Sequence, residues 1–121
     1  MWRIVSNFSL SSKSEQDIAI MEPKGYINDI GAETLELASE QFLGNGIKKL
    51  IVNFSGVQFI NTIGLSIFLS MVQKTLEYHS LLCFTNMKKD HREIFEMAGL
   101  MKYVKVFKDE NDAFSYLNRR S

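Results

Sequence analysis

The sequence predicts a single α/β domain over residues 1–121: one mixed β-sheet, an N-terminal hairpin followed by parallel strands, covered by about four helices. Three observations carry this reading. Leu50–Val52 and Leu81–Phe84 are apolar runs with little alternation, as expected of strands covered on both faces. Segments with apolar residues at i, i+3, i+4 and i+7 stand between and after them, the spacing of a helix with one buried face. The order strand–helix–strand over residues 47–85 is a crossover that joins parallel strands of one sheet.

The elements follow in order. Ile4, Phe8 and Leu10 fall on one side of an extended segment, and the polar stretch Ser9–Gln16 reads as a turn. Ile18 and Ile20 alternate with Ala19 and Met21 in a second strand. Pro23 lacks a donor, so that strand bends, ends or lies on an edge there, and Gly25-Tyr26-Ile27 resumes it. Asn28-Asp29 offers caps for a helix over Ile30–Leu43 that buries Leu35, Ala38 and Phe42, and Gly44-Asn45-Gly46 stops it. A strand over Ile47–Phe54 and a short loop lead to Asn61-Thr62, both good caps, and to a helix over Ile63–Tyr78.

In that helix Leu65, Phe68, Leu69, Val72 and Leu76 form the predicted core stripe, with Ser66, Ser70, Gln73, Lys74 and Glu77 opposite. At about 100° per residue, Ile63 and Ile67 land outside the stripe, which suggests a small exposed apolar patch for a partner. A strand over Leu81–Thr85 follows. Asp90 and Glu93 have capping-box spacing and open a third helix that ends at Ala98-Gly99. Tyr103–Phe107 reads as the last strand. A final helix starts at Asp109 or Asn111, carries Ala113, Phe114 and Leu117, and closes on Arg119 and Arg120.

Composition and motifs exclude several function classes. Lys+Arg and Asp+Glu number 14 each, so the net charge of zero gives no basic footprint for nucleic acid. The single cysteine, Cys83, lies in an apolar run, reads as a small hydrophobe and fits a reducing compartment. The N-terminus lacks the pattern of a signal peptide, and polar residues interrupt the most apolar region, residues 50–72, so the expected location is the cytoplasm. His79 and His91 read as surface residues at helix ends, without zinc-ligand spacing. There is no phosphate loop, nucleophile elbow or dinucleotide fingerprint, and Gly44-Asn45-Gly46 ends a helix instead of starting one. The expectation is a binding protein with no cofactor and no metal, not an enzyme. Lys88, Lys89, His91 and Arg92 read as a solvated helix start; Phe54, Phe59, Phe68 and Phe84 read as core, and Met97 and Met101 as partly exposed.

Three segments in order resemble an anti-sigma factor antagonist, a stand-alone STAS domain. Phe59-Ile60-Asn61-Thr62-Ile63-Gly64-Leu65 is similar to that family's F-x-D-S-[ST]-G-L; Gly25-Tyr26-Ile27-Asn28 is similar to its G-E-L-D; and Phe95–Leu100 is similar to its L-F-x-x-[ST]-G-L. The resemblance covers nearly the whole chain. It implies a non-enzymatic switch: the serine after the aspartate is phosphorylated by a serine/threonine kinase that is itself the anti-sigma factor, the unphosphorylated form binds that kinase, and a phosphatase restores it. By position the phosphoacceptor is Thr62, and the partner surface comprises Asn28, Asn61, Thr62, Ile63, Gly64 and Ile67, on a monomer or weak homodimer. Asn61 and Asn28 stand where the family has aspartates, and Ile63 where it has a hydroxyl residue. The alternative is a STAS scaffold in a signalling complex that assembles without phosphorylation; a small-ligand sensor ranks last.

Overall fold

The computed structural model describes residues 8–120. β1 (Ser9–Glu15) and β2 (Ile18–Ile27) form an antiparallel hairpin that turns at Gln16-Asp17, with Glu15 opposite Ile18. The stretch read as a turn, Ser9–Gln16, is therefore mostly strand. Its serines are compatible with an edge strand that is exposed along almost its whole length, where alternation gives no signal. Ile4, placed in the same extended segment, lies outside the described residues.

Helix α1 (Asp29–Gly44) leads to β3 (Lys49–Asn53), which pairs in parallel with Ile18–Met21 of β2. The chain then turns at Phe54-Ser55 into β4 (Gly56–Ile60), which pairs with Lys24–Ile27, the other half of β2. Glu22 and Pro23 fall between the two parallel partners, so the missing proline donor costs no bond on that edge. β2 thus runs through Pro23 without ending. β4 occupies the segment expected to be a loop; at five residues, with one unpaired residue at Gln58 where the register shifts, it is too short and irregular to show a period.

Helix α2 (Thr62–Glu77), β5 (Leu81–Thr85), helix α3 (Lys89–Met97), β6 (Lys105–Phe107) and helix α4 (Glu110–Asn118) complete the chain. The six-stranded sheet has the order β1-β2-β3-β5-β6, with β4 against β2 and all pairs after the hairpin parallel. The α/β mixed-sheet class with four helices is therefore as the sequence predicts.

The two sheet faces are covered unequally. Ala19, Met21, Leu50, Val52 and Phe84 face α1, α2 and α3. Ile18, Ile20, Ile51 and Cys83 face Ala113 and Leu117 of α4 alone. Burial pushes the Cys83 thiol up to about 12, so it is a small hydrophobe with no thiolate chemistry at neutral pH.

The helix stripes are rotated from the expected ones. α2 buries Gly64, Phe68, Met71, Val72 and Thr75, while Leu69 and Leu76 are exposed and Leu65 is half-buried. The glycine and the threonine, which a hydrophobicity pattern passes over, let α2 lie close to its neighbours; Thr75 satisfies its hydroxyl on the Met71 carbonyl at 2.9 Å. In α1, Leu35 is buried as expected, but Ala38 and Phe42 are half-buried beside the fully buried Ala32 and Leu43. The capping box at Asp90 and Glu93 does not form: the cap position lies two residues earlier, at Lys88, which makes no side-chain cap. α4 is capped by Asp109, whose carboxylate accepts from the Asp112 N–H at 2.9 Å.

Candidate functional site

Two helix starts stand side by side. β2 and β4 are parallel neighbours in register at Ile27 and Ile60, and each runs directly into a helix. Asn28 caps α1, its Oδ1 accepting from the Gly31 N–H at 3.0 Å. Asn61 caps α2 in the same way, accepting from the Gly64 N–H at 2.8 Å. The two caps are tied together, because the Asn61 N–H donates to the Ile27 carbonyl at 3.1 Å. Thr62 is therefore not the cap. It is the first residue of α2, exposed, and its hydroxyl makes no hydrogen bond among the described residues.

The doubling is written in the sequence. Tyr26-Ile27-Asn28-Asp29-Ile30-Gly31 and Phe59-Ile60-Asn61-Thr62-Ile63-Gly64 share Ile, Asn, Ile and Gly at the same places. Each position does the same work twice. The first isoleucine enters the core, the asparagine caps, the second isoleucine is exposed, and the glycine is buried under the helix start. A Cβ on Gly64 would sit 2.8 Å from the Ile27 carbonyl oxygen and 3.2 Å from that of Asn28. The aromatic pair closes the figure: Tyr26 and Phe59 meet edge to face at 4.9 Å on the sheet face that α4 covers only farther back.

The exposed apolar residues here are Ile30 (67%), Ile63 (58%), Phe59 (51%) and Tyr26 (42%). The expected patch of Ile63 and Ile67 is thus corrected: Ile67 is half-buried and packs against the core. Phe59, expected in the core, is instead part of the surface. Pattern reading missed Tyr26, Ile30 and Phe59, and the repeated hexapeptide is the signal that finds them. Asn28, Asn61, Thr62 and Ile63 lie together at the two helix starts, whereas Gly64, expected on the same partner surface, is buried beneath the start of α2.

His91 supports this ledge from behind. It is buried, not on the surface as expected, and its ring hydrogen-bonds the backbone of Gln58, just before Phe59. Burial holds its pKa below the ordinary histidine value, against the opposing pull of that hydrogen bond, so the ring is neutral at pH 7. Among the described residues no group of His, Cys, Asp or Glu could hold a metal ion. No helix of the described residues is long and apolar enough to cross a membrane.

The caps give a direct prediction. α2 has no acidic residue in its first turn, so Asn61 carries the cap alone. Asn61→Ala is expected to cost about 0.5–2 kcal/mol in urea unfolding, whereas Asn61→Asp keeps the cap and gains from the helix dipole. Equal losses in the two variants would show that the cap is not what Asn61 contributes.

Comparison with known proteins bears on this site. A family model described as "STAS domain" matches residues 9–113. The chain belongs to the STAS domain family. Among curated proteins none matches the sequence. Several solved structures share the STAS fold. A Thermotoga maritima protein assigned as an anti-sigma factor antagonist is 17% identical, with 91% of this chain and 95% of that one covered and a TM-score of 0.81. The Bacillus anti-sigma factor antagonist SpoIIAA in its unphosphorylated form is 14% identical, with coverage of 92% and 97% and a TM-score of 0.72. A sulfate transporter family protein from Wolinella succinogenes is 15% identical, with coverage of 87% and 88% and a TM-score of 0.77. At these identities the likeness is one of fold.

Proposed function

We propose that this STAS domain is a cytoplasmic anti-sigma factor antagonist that works by binding. Its partner is an anti-sigma-type serine/threonine kinase that docks on Asn28 and on the Asn61–Ile67 ledge, with Thr62 as the switch and a phosphatase to reset it. The observation that carries this reading is the position of Thr62. Its hydroxyl is exposed at the start of a 16-residue helix, is not needed as a cap, and is flanked by the exposed Ile63. The likeness to SpoIIAA, a protein named by its phosphorylation state, supports the same reading.

The physics gives the sign of the switch. A phosphate on Thr62 places about −1.5 to −2 charges and three acceptor oxygens at a helix N-terminus. The free N–H groups and the dipole favour an anion there by roughly 0.3–1 kcal/mol, so the fold tolerates it. Against an apolar partner surface the same dianion loses water without a counter-charge, at a cost of several kcal/mol. Each 1.4 kcal/mol is about tenfold in affinity, so modification releases the partner without unfolding the domain.

The test is an affinity pull-down from the native cell with wild type, Thr62→Ala and Thr62→Glu as baits. Capture of a kinase-like partner by wild type and Thr62→Ala, but not by Thr62→Glu, is the expected result. Identical capture by all three overturns the switch. The result would then favour the second reading, a STAS scaffold that assembles unmodified, for which Asn61 and Ile63 in place of the family's acid and hydroxyl residue are the specific support.

A further inference from the structure

At the end of the sheet opposite the twin helix starts lies a cavity of about 320 Å³. Four parts of the chain converge on it: Asp17 from the β1–β2 turn, Lys48 and Lys49 at the entry to β3, His79 between α2 and β5, and Arg120 just beyond α4. Leu81 and Gly46 complete the wall. Lys48, Lys49 and Arg120 against Asp17 give the lining a surplus of two positive charges, in a chain whose formal net charge is zero.

These cations are only partly satisfied. Lys49, its side chain only 12% exposed, pairs at 3.1 Å with the 64% exposed Asp17 carboxylate, and this one contact leaves two ammonium N–H groups over. Lys48 donates to the Tyr78 carbonyl at 2.9 Å, and two of its donors also remain. The Arg120 guanidinium lies over the Tyr116 ring at 4.8 Å. Neither it nor the His79 ring makes a side-chain hydrogen bond among the described residues. A concave site with many charged donors and one carboxylate acceptor matches a multivalent oxyanion.

We propose that this pocket binds a phosphomonoester. An arginine fork flanked by lysine ammonium groups is the donor set that phosphate oxygens take, and the surplus of two charges equals that of the dianion. A volume of about 320 Å³ is at the small end for ligand pockets, which limits the organic part to the size of a nucleoside or less. Gly46 belongs to the turn after α1 and His79 to the turn after α2. A bound anion therefore bridges the far ends of the two helices whose starts form the ledge.

The test is an NMR titration of the full chain at low salt, with inorganic phosphate and, separately, adenosine monophosphate. Saturable shifts centred on the Gly46, Lys49 and His79 amides are expected with at least one of the two. The double variant Lys48→Gln, Arg120→Gln alters two exposed side chains and is expected to weaken that binding at least tenfold with an otherwise unchanged spectrum. Tighter binding of the nucleotide assigns the Leu81 wall to the organic group; equal binding assigns the site to the phosphate alone. Equal shifts at Lys88–Arg92, or affinity unchanged in the double variant, overturn the proposal and leave the cations as counter-charges to the C-terminal ends of α1, α2 and α4.

Discussion

Phe54→Ala is expected to lower the unfolding free energy by about 3–5 kcal/mol, the range for deleting a buried phenyl ring. Phe54 is fully buried just after β3, where four rings meet. Every pairing among Phe54, Phe68, Phe84 and Phe95 brings ring centroids within 6.1 Å, most of them edge to face. The four come from the turn before β4, from α2, from β5 and from α3, so this cluster joins the sheet to two helices. Truncating one ring removes its own burial and three ring contacts, each worth about 0.5–1.5 kcal/mol beyond area. A small domain holds only about 5–15 kcal/mol in all, so the variant should unfold at a much lower urea concentration. Phe59→Ala is the control. That ring is half exposed and touches Tyr26, and its loss should cost no more than about 1.5 kcal/mol. Similar urea midpoints for the two variants would show that the tetrad is not the centre of the core.

Gly64→Val should be nearly as damaging, for a different reason. The atom that a Cβ would strike is the Ile27 carbonyl oxygen, at 2.8 Å, and that oxygen already accepts from Asn61. Relief requires either lifting the start of α2 or breaking the bond that ties it to the start of α1. Overpacking of this kind costs about 1–3 kcal/mol, and valine, stiff at χ1, belongs at the upper end. Gly44→Ala provides the contrast. It also lies in a helix, at the end of α1, but a Cβ there meets nothing within 4 Å. Alanine at that place should stabilise by about 0.5–1 kcal/mol through the unfolded chain and the helix alike. Thermal unfolding of the two variants should move in opposite directions. A fall in both would mean that crowding at Ile27 is not what distinguishes the two glycines.

Long apolar runs were the most legible part of the fold. Leu50–Val52 and Leu81–Phe84 have no polar alternation because both faces are covered, and this identified them as interior strands. What escaped reading was short, irregular or polar. β1 is an exposed edge whose serines carry no pattern, and β4 is interrupted at Gln58. The α2 stripe was misplaced because Gly64 and Thr75 are buried for closeness and for a local hydrogen bond, neither of which hydrophobicity measures. The candidate site was half legible. Asn61, Thr62 and Ile63 stood out as a helix start, but their neighbours Tyr26, Ile30 and Phe59 are apolar residues that stay exposed. The repeated hexapeptide marks them as equivalent positions, and the sheet register, which sets Tyr26 beside Phe59, gathers them into one surface.

The twin hexapeptides differ at one place in kind: the residue after the cap is Asp29 in α1 and Thr62 in α2. The molecule therefore carries its own reference for an acidic group at this geometry, the Asp29 carboxyl in the first turn of α1, beside a matching turn of α2 that has no acidic residue. Phosphate on Thr62 would make the second turn resemble the first. Under the proposed switch, a partner reading this surface would meet a contrast between a charged turn and an uncharged one, and modification would erase that contrast as well as add charge.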